Sequence, residues 1–193
     1  QALDDGLLAA RYGVSLATVA ECREFVEALD EPLPGTRFEV ALEHEFRRFI
    51  LSGHEDALLI FTEDDGDHAL VDDLKTGRKE VPSPSANAQA LCYVALTFSN
   101  FERVQTVRFR FLQPLGVGER YPEFTFHRSA HFDQIMRHIE EAGNEALGDR
   151  ASLIPGSCCE YCPASDRCPA LHKEVATFAT LTPDSVVARI ADV

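Results

Sequence analysis

The feature that most constrains this chain is a pair of short apolar runs, residues 57–61 and 69–71, separated by an acidic turn. The turn contains an Asp-Gly pair, which between two apolar runs is a strong signal for a β-hairpin. The sequence therefore predicts a hairpin within residues 53–77, with its strands side by side and antiparallel.

The open end of this predicted hairpin carries the charges of interest. Asp73 and Lys75 are two residues apart, so on a strand they share a face. The hairpin can bring Asp56, which enters the first apolar run, close to that pair. Two carboxylates and an ammonium group on one face are costly unless they are used, typically for a divalent cation and a phosphate.

Hydrophobic periodicity predicts the remaining elements. Alternating residues indicate strands within residues 36–51, 104–113 and 123–127, and helical spacing indicates helices within 1–30, 85–99 and 129–147. We expect three parts: an N-terminal helical segment (1–35), a core (36–150), and a cysteine-containing segment with a C-terminal helix (151–193).

Two pairs of polar residues lie on these elements. Gln89 and Tyr93 are four apart and share a helical face, although such a pair is often only a satisfied polar group at the margin of a core. Arg108 and Arg110 share a face of the predicted strand 104–113. They are either a local basic feature or partners of the acids in residues 39–45.

Four of the six cysteines lie within residues 158–168. Three of them, Cys159, Cys162 and Cys168, have the spacing C-x2-C-x5-C, and Cys158 lies outside this ligand pattern. Short loops between thiolates suit a metal ion or an iron–sulfur cluster. His172 offers an alternative, a zinc site of three cysteines and one histidine.

Composition limits the function classes. With 45% hydrophobic residues among 193, the chain can bury a core. Its net charge of −14 argues against a protein that binds nucleic acid through overall electrostatic attraction. That charge still permits an approach to phosphate through metal ions.

No apolar run is long enough for a membrane span and no signal peptide is recognisable, so we expect a cytoplasmic protein without a membrane role. The sequence begins with Gln1 and not with a methionine, so we expect a chain that is processed, trimmed or given only in part.

Several motifs, taken in order, resemble the PD-(D/E)XK nuclease superfamily. The closer likeness is to its RecB-like exonuclease branch and to CRISPR-associated relatives with a C-terminal cysteine cluster, and the chain resembles a phage-encoded family of that branch more closely still. The motifs, which span roughly residues 37–172, are Gly53-His-Glu-Asp56, Val71-Asp-Asp73-Leu-Lys75-Thr-Gly77, Asn87-x-Gln89 with Tyr93, Leu112-Gln-Pro114 and Cys159-x2-Cys162-x5-Cys168.

The resemblance implies an α/β fold of the restriction-endonuclease type: a central mixed β-sheet flanked by α-helices, followed by a small cysteine-rich segment. It implies that Asp56 and Asp73 bind Mg²⁺ or Mn²⁺ and that Lys75 positions or activates the attacking water. Gln89 and Tyr93 would line the site.

Two further ligand sets follow from the same resemblance. An upstream helical residue would complete the metal site, and its candidates are Glu21, Glu24 and Glu27. A 4Fe-4S cluster would be held by Cys159, Cys162, Cys168 and Cys22, although Cys22 also fits a buried position on an apolar helical stripe.

These expectations combine into a metal-dependent DNA nuclease, exonuclease-like, in phage or prophage DNA recombination or processing. DNA is the expected substrate, and phage recombination proteins are candidate partners. The alternative is a catalytically impaired, nuclease-derived protein that serves as a metal- or cluster-binding interaction or scaffold module.

Overall fold

The computed structural model describes most of the chain beyond residue 32. The described residues are 6, 10, 15–20, 23, 33–116, 118–148, 151–156, 159 and 162–179. The chain divides into two compact units, residues 1–143 and 144–193. None of the described helices has the length and apolar character required to cross a membrane.

The first unit contains a five-stranded mixed sheet in the order β1-β2-β3-β4-β5. Its strands are β1 (Arg37–Glu45), β2 (Ile50–Glu63), β3 (Gly66–Leu74), β4 (Val104–Leu112) and β5 (Glu123–His127). Neighbouring strands are antiparallel except β3 and β4, which are parallel. The predicted hairpin is confirmed as β2 and β3, which extend well beyond the apolar runs and leave only residues 64 and 65 as the turn.

A helix connects the two parallel strands, as a parallel pair requires. This helix, α1 (Ala88–Asn100), begins at Asn87, whose side chain accepts hydrogen bonds from Gln89 N and Ala90 N. The cap satisfies N–H groups that a first helical turn leaves unpaired. It also fixes where Gln89 enters the helix.

A second helix, α2 (Asp133–Ala146), follows β5 through a π-helical turn, Arg128–Phe132. The Arg128 guanidinium donates hydrogen bonds to Phe98 O at 2.7 Å and to Phe101 O at 2.8 Å. These carbonyls belong to the C-terminal end of α1, where a cation is favourable. Arg128 thereby ties the start of α2 to the end of α1.

The core lies between the sheet and these helices. Its fully buried members include Leu58 and Val71 from the hairpin, Phe109 and Phe111 from β4, and Phe98 from α1. Burial of each large apolar side chain contributes about 1.5–3 kcal/mol. The core thus holds α1 against β2, β3 and β4, the strands that carry the predicted site residues.

The two strand arginines have partners other than those predicted. Arg110 forms a bidentate pair with Asp72, with Nε–Oδ1 and Nη2–Oδ2 distances of 2.6 and 2.7 Å. Arg108 lies 3.6 Å from Glu123 on β5. Pairing with acids in residues 39–45 is therefore wrong, because β1 lies at the sheet edge, separated from β4 by two strands.

The two ends of the chain are described only in part. Residues 16–20 are helical, and Ser15 Oγ accepts a hydrogen bond from Thr18 N at 3.1 Å, as expected for an N-cap. The second unit contains α3 (Pro169–Ala179), which directly follows Cys168. The predicted C-terminal helix lies outside the described residues.

Candidate active site

Three of the predicted residues meet where β3 ends. The Lys75 ammonium lies 2.5 Å from Asp73 Oδ2 and donates a hydrogen bond to Gln89 Oε1 at 2.7 Å. Gln89 Nε2 in turn reaches Asp73 Oδ1 at 3.4 Å. The contact of Lys75 with Asp73 is an ion pair and not an aligned hydrogen bond. These three side chains close a polar ring between β3 and α1.

Lys75 is held from two further directions. Its backbone N–H donates to Leu112 O at 2.8 Å, which continues the parallel pairing of β3 with β4 beyond Leu74. Its ammonium lies 5.4 Å from the centre of the Phe111 ring, within cation–π range. Because the backbone and the head group are both held, the ammonium is directed at Asp73.

Asp56 lies on the facing strand, as predicted. Ala57 is opposite Asp72 in the hairpin register, so Asp56 comes beside Asp73 at the end of the paired region. There, Asp56 Oδ2 accepts a hydrogen bond from Leu74 N at 2.7 Å. This side-chain bond takes the place of the next backbone bond between the strands.

The electrostatics of Asp73 fit a cation site. Asp73 is only 3% exposed, and burial raises its pKa; the Lys75 ammonium opposes the rise and the Asp56 carboxylate adds to it. Two carboxylates that repel each other in a desolvated position favour a divalent cation between them, because the cation stabilises both charged forms. The oxygen donors are the type that Mg²⁺ and Mn²⁺ prefer.

Tyr93 lines the site on α1. Its hydroxyl accepts a hydrogen bond from Gln89 Nε2 at 3.2 Å. Burial raises the pKa of the phenol, and the negative charges of Asp73, Asp56 and Glu55 raise it further.

Gly53 on β2 makes room for the Tyr93 ring. A Cβ atom at Gly53 would lie 2.6 Å from Tyr93 Cε1, closer than real contacts allow. The ring therefore packs directly on the backbone of β2, and this contact explains the glycine of the Gly53-to-Asp56 motif.

A buried carboxyl group that the sequence analysis did not identify lies next to Asp56. Glu55 is 0% exposed, and its Oε1 accepts a hydrogen bond from Thr97 Oγ1 at 2.6 Å. Burial raises the pKa of Glu55 from 4.5 to about 7, although the bond from Thr97 and the charge of Arg37 oppose the rise. Glu55 Oε2 is fully buried and has no hydrogen-bond partner among the described residues.

Thr97 completes a polar row along α1. Gln89, Tyr93 and Thr97 follow one another at intervals of four residues, so they lie on one face of the helix. Gln89 is exposed, Tyr93 is half-buried and Thr97 is fully buried. The row thus runs from the exposed Gln89, which contacts Asp73, to the buried Thr97, which contacts Glu55.

Gln113, directly after β4, is a second buried polar residue, to which the sequence pattern assigned no role. It is 1% exposed, and neither polar atom of its side-chain amide has a hydrogen-bond partner within the part of the chain that the structure describes. It belongs to the Leu112-Gln-Pro114 motif, and Leu112 is the residue whose carbonyl holds the Lys75 backbone.

Another acidic group lies at the turn of the hairpin. Among the described residues, Glu63, Asp65 and His68 are the only three acidic, histidine or cysteine residues whose ligand atoms all lie within 4.8 Å of one another. Both ring nitrogens of His68 are already bonded, to Asp65 Oδ1 at 2.8 Å and to Thr106 Oγ1 at 2.7 Å. This group is therefore explained as a hydrogen-bonded strand end, and within the described residues no third ligand is assembled beside Asp56 and Asp73.

The second unit contains the three described cysteines of the predicted cluster. Cys159 Sγ accepts a hydrogen bond from Gly156 N at 3.3 Å, and Cys168 Sγ accepts one from Leu171 N at 3.5 Å. Cys162 is exposed. The remaining predicted ligand, Cys22, lies outside the described residues, as do Cys158 and the candidate upstream acids Glu21, Glu24 and Glu27.

Comparison with known proteins adds one family and one fold likeness. The family model described as the PD-(D/E)XK nuclease superfamily matches residues 4–169. Nine chains of solved structures match, among them one titled "Crystal structure of SSO0001", with a TM-score of 0.46 and 19% identity over 80% of this chain and 71% of that chain. No curated protein matches the chain.

Proposed function

Because the chain belongs to the PD-(D/E)XK nuclease superfamily, whose members are generally phosphodiesterases, we propose that it is a Mg²⁺- or Mn²⁺-dependent deoxyribonuclease. The observation that carries this proposal is the ring of Asp73, Lys75 and Gln89, with Asp56 facing it across the hairpin. An exonuclease-like mode and a role in phage or prophage recombination rest on the sequence resemblance.

Each side chain has a role that its contacts support. Asp56 and Asp73 would hold the divalent cation, which when bound neutralises phosphate charge and lowers the pKa of water. Lys75 is fixed beside Asp73 and can orient the attacking water and stabilise its developing negative charge. Gln89 bridges Lys75 to Tyr93 and keeps both groups at the same side of Asp73.

Substrate approach is compatible with the acidic composition. Asp73 is buried, whereas Gln89 is exposed and Lys75 is partly exposed, so the site opens at the α1 side of the sheet. Local neutralisation by a cation replaces the basic surface that many DNA-binding proteins use. We therefore expect cleavage to depend steeply on the concentration of divalent cation.

The test is degradation of linear DNA with Mg²⁺ or Mn²⁺. Asp73→Asn and Lys75→Met are each expected to reduce cleavage by about 100-fold or more, the usual scale for a positioned group that assists proton transfer. Matched controls are Asp64→Asn in the hairpin turn and Lys79→Met in the loop after Lys75; both should cleave like the wild type. Wild-type activity in both site variants would refute the site, and an inactive wild type would favour the non-catalytic scaffold.

For the second unit we propose a 4Fe-4S cluster on Cys159, Cys162 and Cys168; the sequence resemblance adds Cys22, which lies outside the described residues, as the fourth ligand. Backbone N–H groups directed at sulfur, as at two of these cysteines, are typical of thiolates that hold iron–sulfur clusters. A tetrahedral zinc site needs its sulfur atoms roughly 3.8 Å apart, given Zn–S bonds of about 2.3 Å. Among the described residues, neither the three cysteines nor His172 belongs to a group whose ligand atoms all lie within 4.8 Å of one another, so the metal content of the protein decides between iron and zinc.

Anaerobic purification separates these alternatives. A visible absorption band with stoichiometric iron, lost in Cys159→Ala and retained in Cys92→Ala, supports the cluster. Cys92 is a suitable control because it lies on α1, in the first unit. A colourless protein with one zinc per chain would support the site of three cysteines and His172.

A further inference from the structure

Glu55 is the feature of this molecule that the proposed roles leave unexplained. A carboxyl group with no exposure and one unpartnered oxygen costs free energy, and such groups are rare unless they serve a purpose. Thr97 satisfies only Oε1. A purely structural hydrogen bond from Thr97 therefore leaves the burial of the second oxygen, Oε2, unexplained.

The backbone brings two consecutive residues, Glu55 and Asp56, to the same side of the sheet. Consecutive strand residues normally point to opposite faces, yet Glu55 accepts a hydrogen bond from Thr97 on α1, and Asp56 lies beside Asp73, which contacts Gln89 on the same helix.

The pairing of β1 with β2 is interrupted at this point. Phe38 pairs with Ala57 and Val40 with Glu55, but no pair joins Glu39 to Asp56. Glu39 has a φ of +50°, which is unusual for a residue other than glycine. An irregularity of this kind redirects side chains, as β-bulges do near active sites.

We propose that Glu55 is a third carboxylate ligand of the divalent cation that Asp56 and Asp73 would hold, an inference that rests on the proposed function. Carboxylate oxygens are the ligands such cations prefer, and Glu55 Oε2 is a fully buried carboxylate oxygen next to Asp56 that has no hydrogen-bond partner among the described residues. The three carboxylates are not assembled around one point. Binding therefore requires the Glu55 side chain to rotate from Thr97 toward Asp56.

The test is isothermal titration calorimetry with Mn²⁺ at pH 8, independent of cleavage. Glu55→Gln is expected to weaken Mn²⁺ binding at least about tenfold, because an amide oxygen is a weaker ligand than a carboxylate. The control Glu39→Gln removes an exposed carboxylate from β1 opposite Asp56 and should bind within about twofold of the wild type. Thr97→Val removes the competing hydroxyl and should bind at least as tightly as the wild type.

A purely structural role for Glu55 predicts the opposite pattern. Glu55→Gln keeps an acceptor for Thr97 and would leave Mn²⁺ binding unchanged, whereas Thr97→Val breaks the bond and would weaken it. That result, with wild-type binding intact, overturns the inference and leaves the nuclease proposal standing. Absence of Mn²⁺ binding in the wild type overturns both. Glu55→Leu provides a second variant, with the same loss of affinity expected, should the glutamine variant not fold.

Discussion

Replacing Glu55 by glutamine is expected to make the metal-free protein more stable at neutral pH. The variant keeps the shape of the side chain and an oxygen for Thr97, and it removes the charge from a position with no exposure. The raised pKa, from 4.5 to about 7, corresponds to about 3 kcal/mol of destabilisation when the carboxyl is ionised, at about 1.4 kcal/mol per pKa unit.

The sign of the pH dependence follows from the two pKa values. Below pH 4.5 the carboxyl group is neutral in the folded and the unfolded chain, so the wild type carries no cost of burying its charge. Between pH 4.5 and about 7 the unfolded chain releases its proton first, and the wild type loses stability relative to the variant. Above that range the difference becomes constant.

The assay is urea unfolding of the wild type and Glu55→Gln from pH 4 to 9, with a chelator to remove divalent cations. The difference in free energy of unfolding should shift by about 3 kcal/mol in favour of the variant across this range. A difference that changes by less than about 1 kcal/mol would refute the desolvation argument. A shift in favour of the wild type would mean that the carboxylate has a charged partner strong enough to outweigh its burial.

Two further substitutions test the packing of the site. Gly53→Ala should displace the Tyr93 ring and reduce cleavage about tenfold, at a cost of about 1 kcal/mol in urea unfolding; Gly77→Ala, with no atom within 4 Å of its added Cβ, should match the wild type in both assays. Asp72→Asn removes half of the bidentate acceptor of Arg110 and should cost about 2 kcal/mol of stability while leaving the cleavage rate of the folded protein unchanged. Equal losses of cleavage in the two glycine variants, or a loss in Asp72→Asn, would contradict these assignments.

Most of the sheet could be predicted because its signals are local. The Asp-Gly pair correctly predicted the hairpin, and residues 123–127 form a strand with the predicted bounds. Asp73 and Lys75 share a face because strand side chains alternate, a rule that needs no tertiary information. Predicting that Gln89 contacts both β3 and Tyr93 also required the order of the motifs, because helical spacing alone does not indicate which strand the helix covers.

The unpredicted parts depend on contacts between distant elements. Glu55 and Thr97 are far apart in sequence, and their contact depends on how α1 packs against β2, which no local sequence pattern predicts. The partner of Arg110 depends on the parallel register of β3 and β4, in which Asp72 lies beside it. A register of this kind is set by the whole sheet and cannot be obtained from either strand alone.

Asp72 and Asp73 are chemically identical neighbours that leave β3 by opposite faces, one to Arg110 and the other to Lys75. Because strand side chains have a period of two, inserting one residue in the hairpin turn and slipping β3 would exchange them. The slipped strand would keep an aspartate on each face, with the same charge, but Lys75 would turn away from the proposed cation site. The role proposed for Asp73 therefore depends on the alternation of side chains along β3: a sequence alignment shifted by one residue still matches an aspartate, but that aspartate is Asp72.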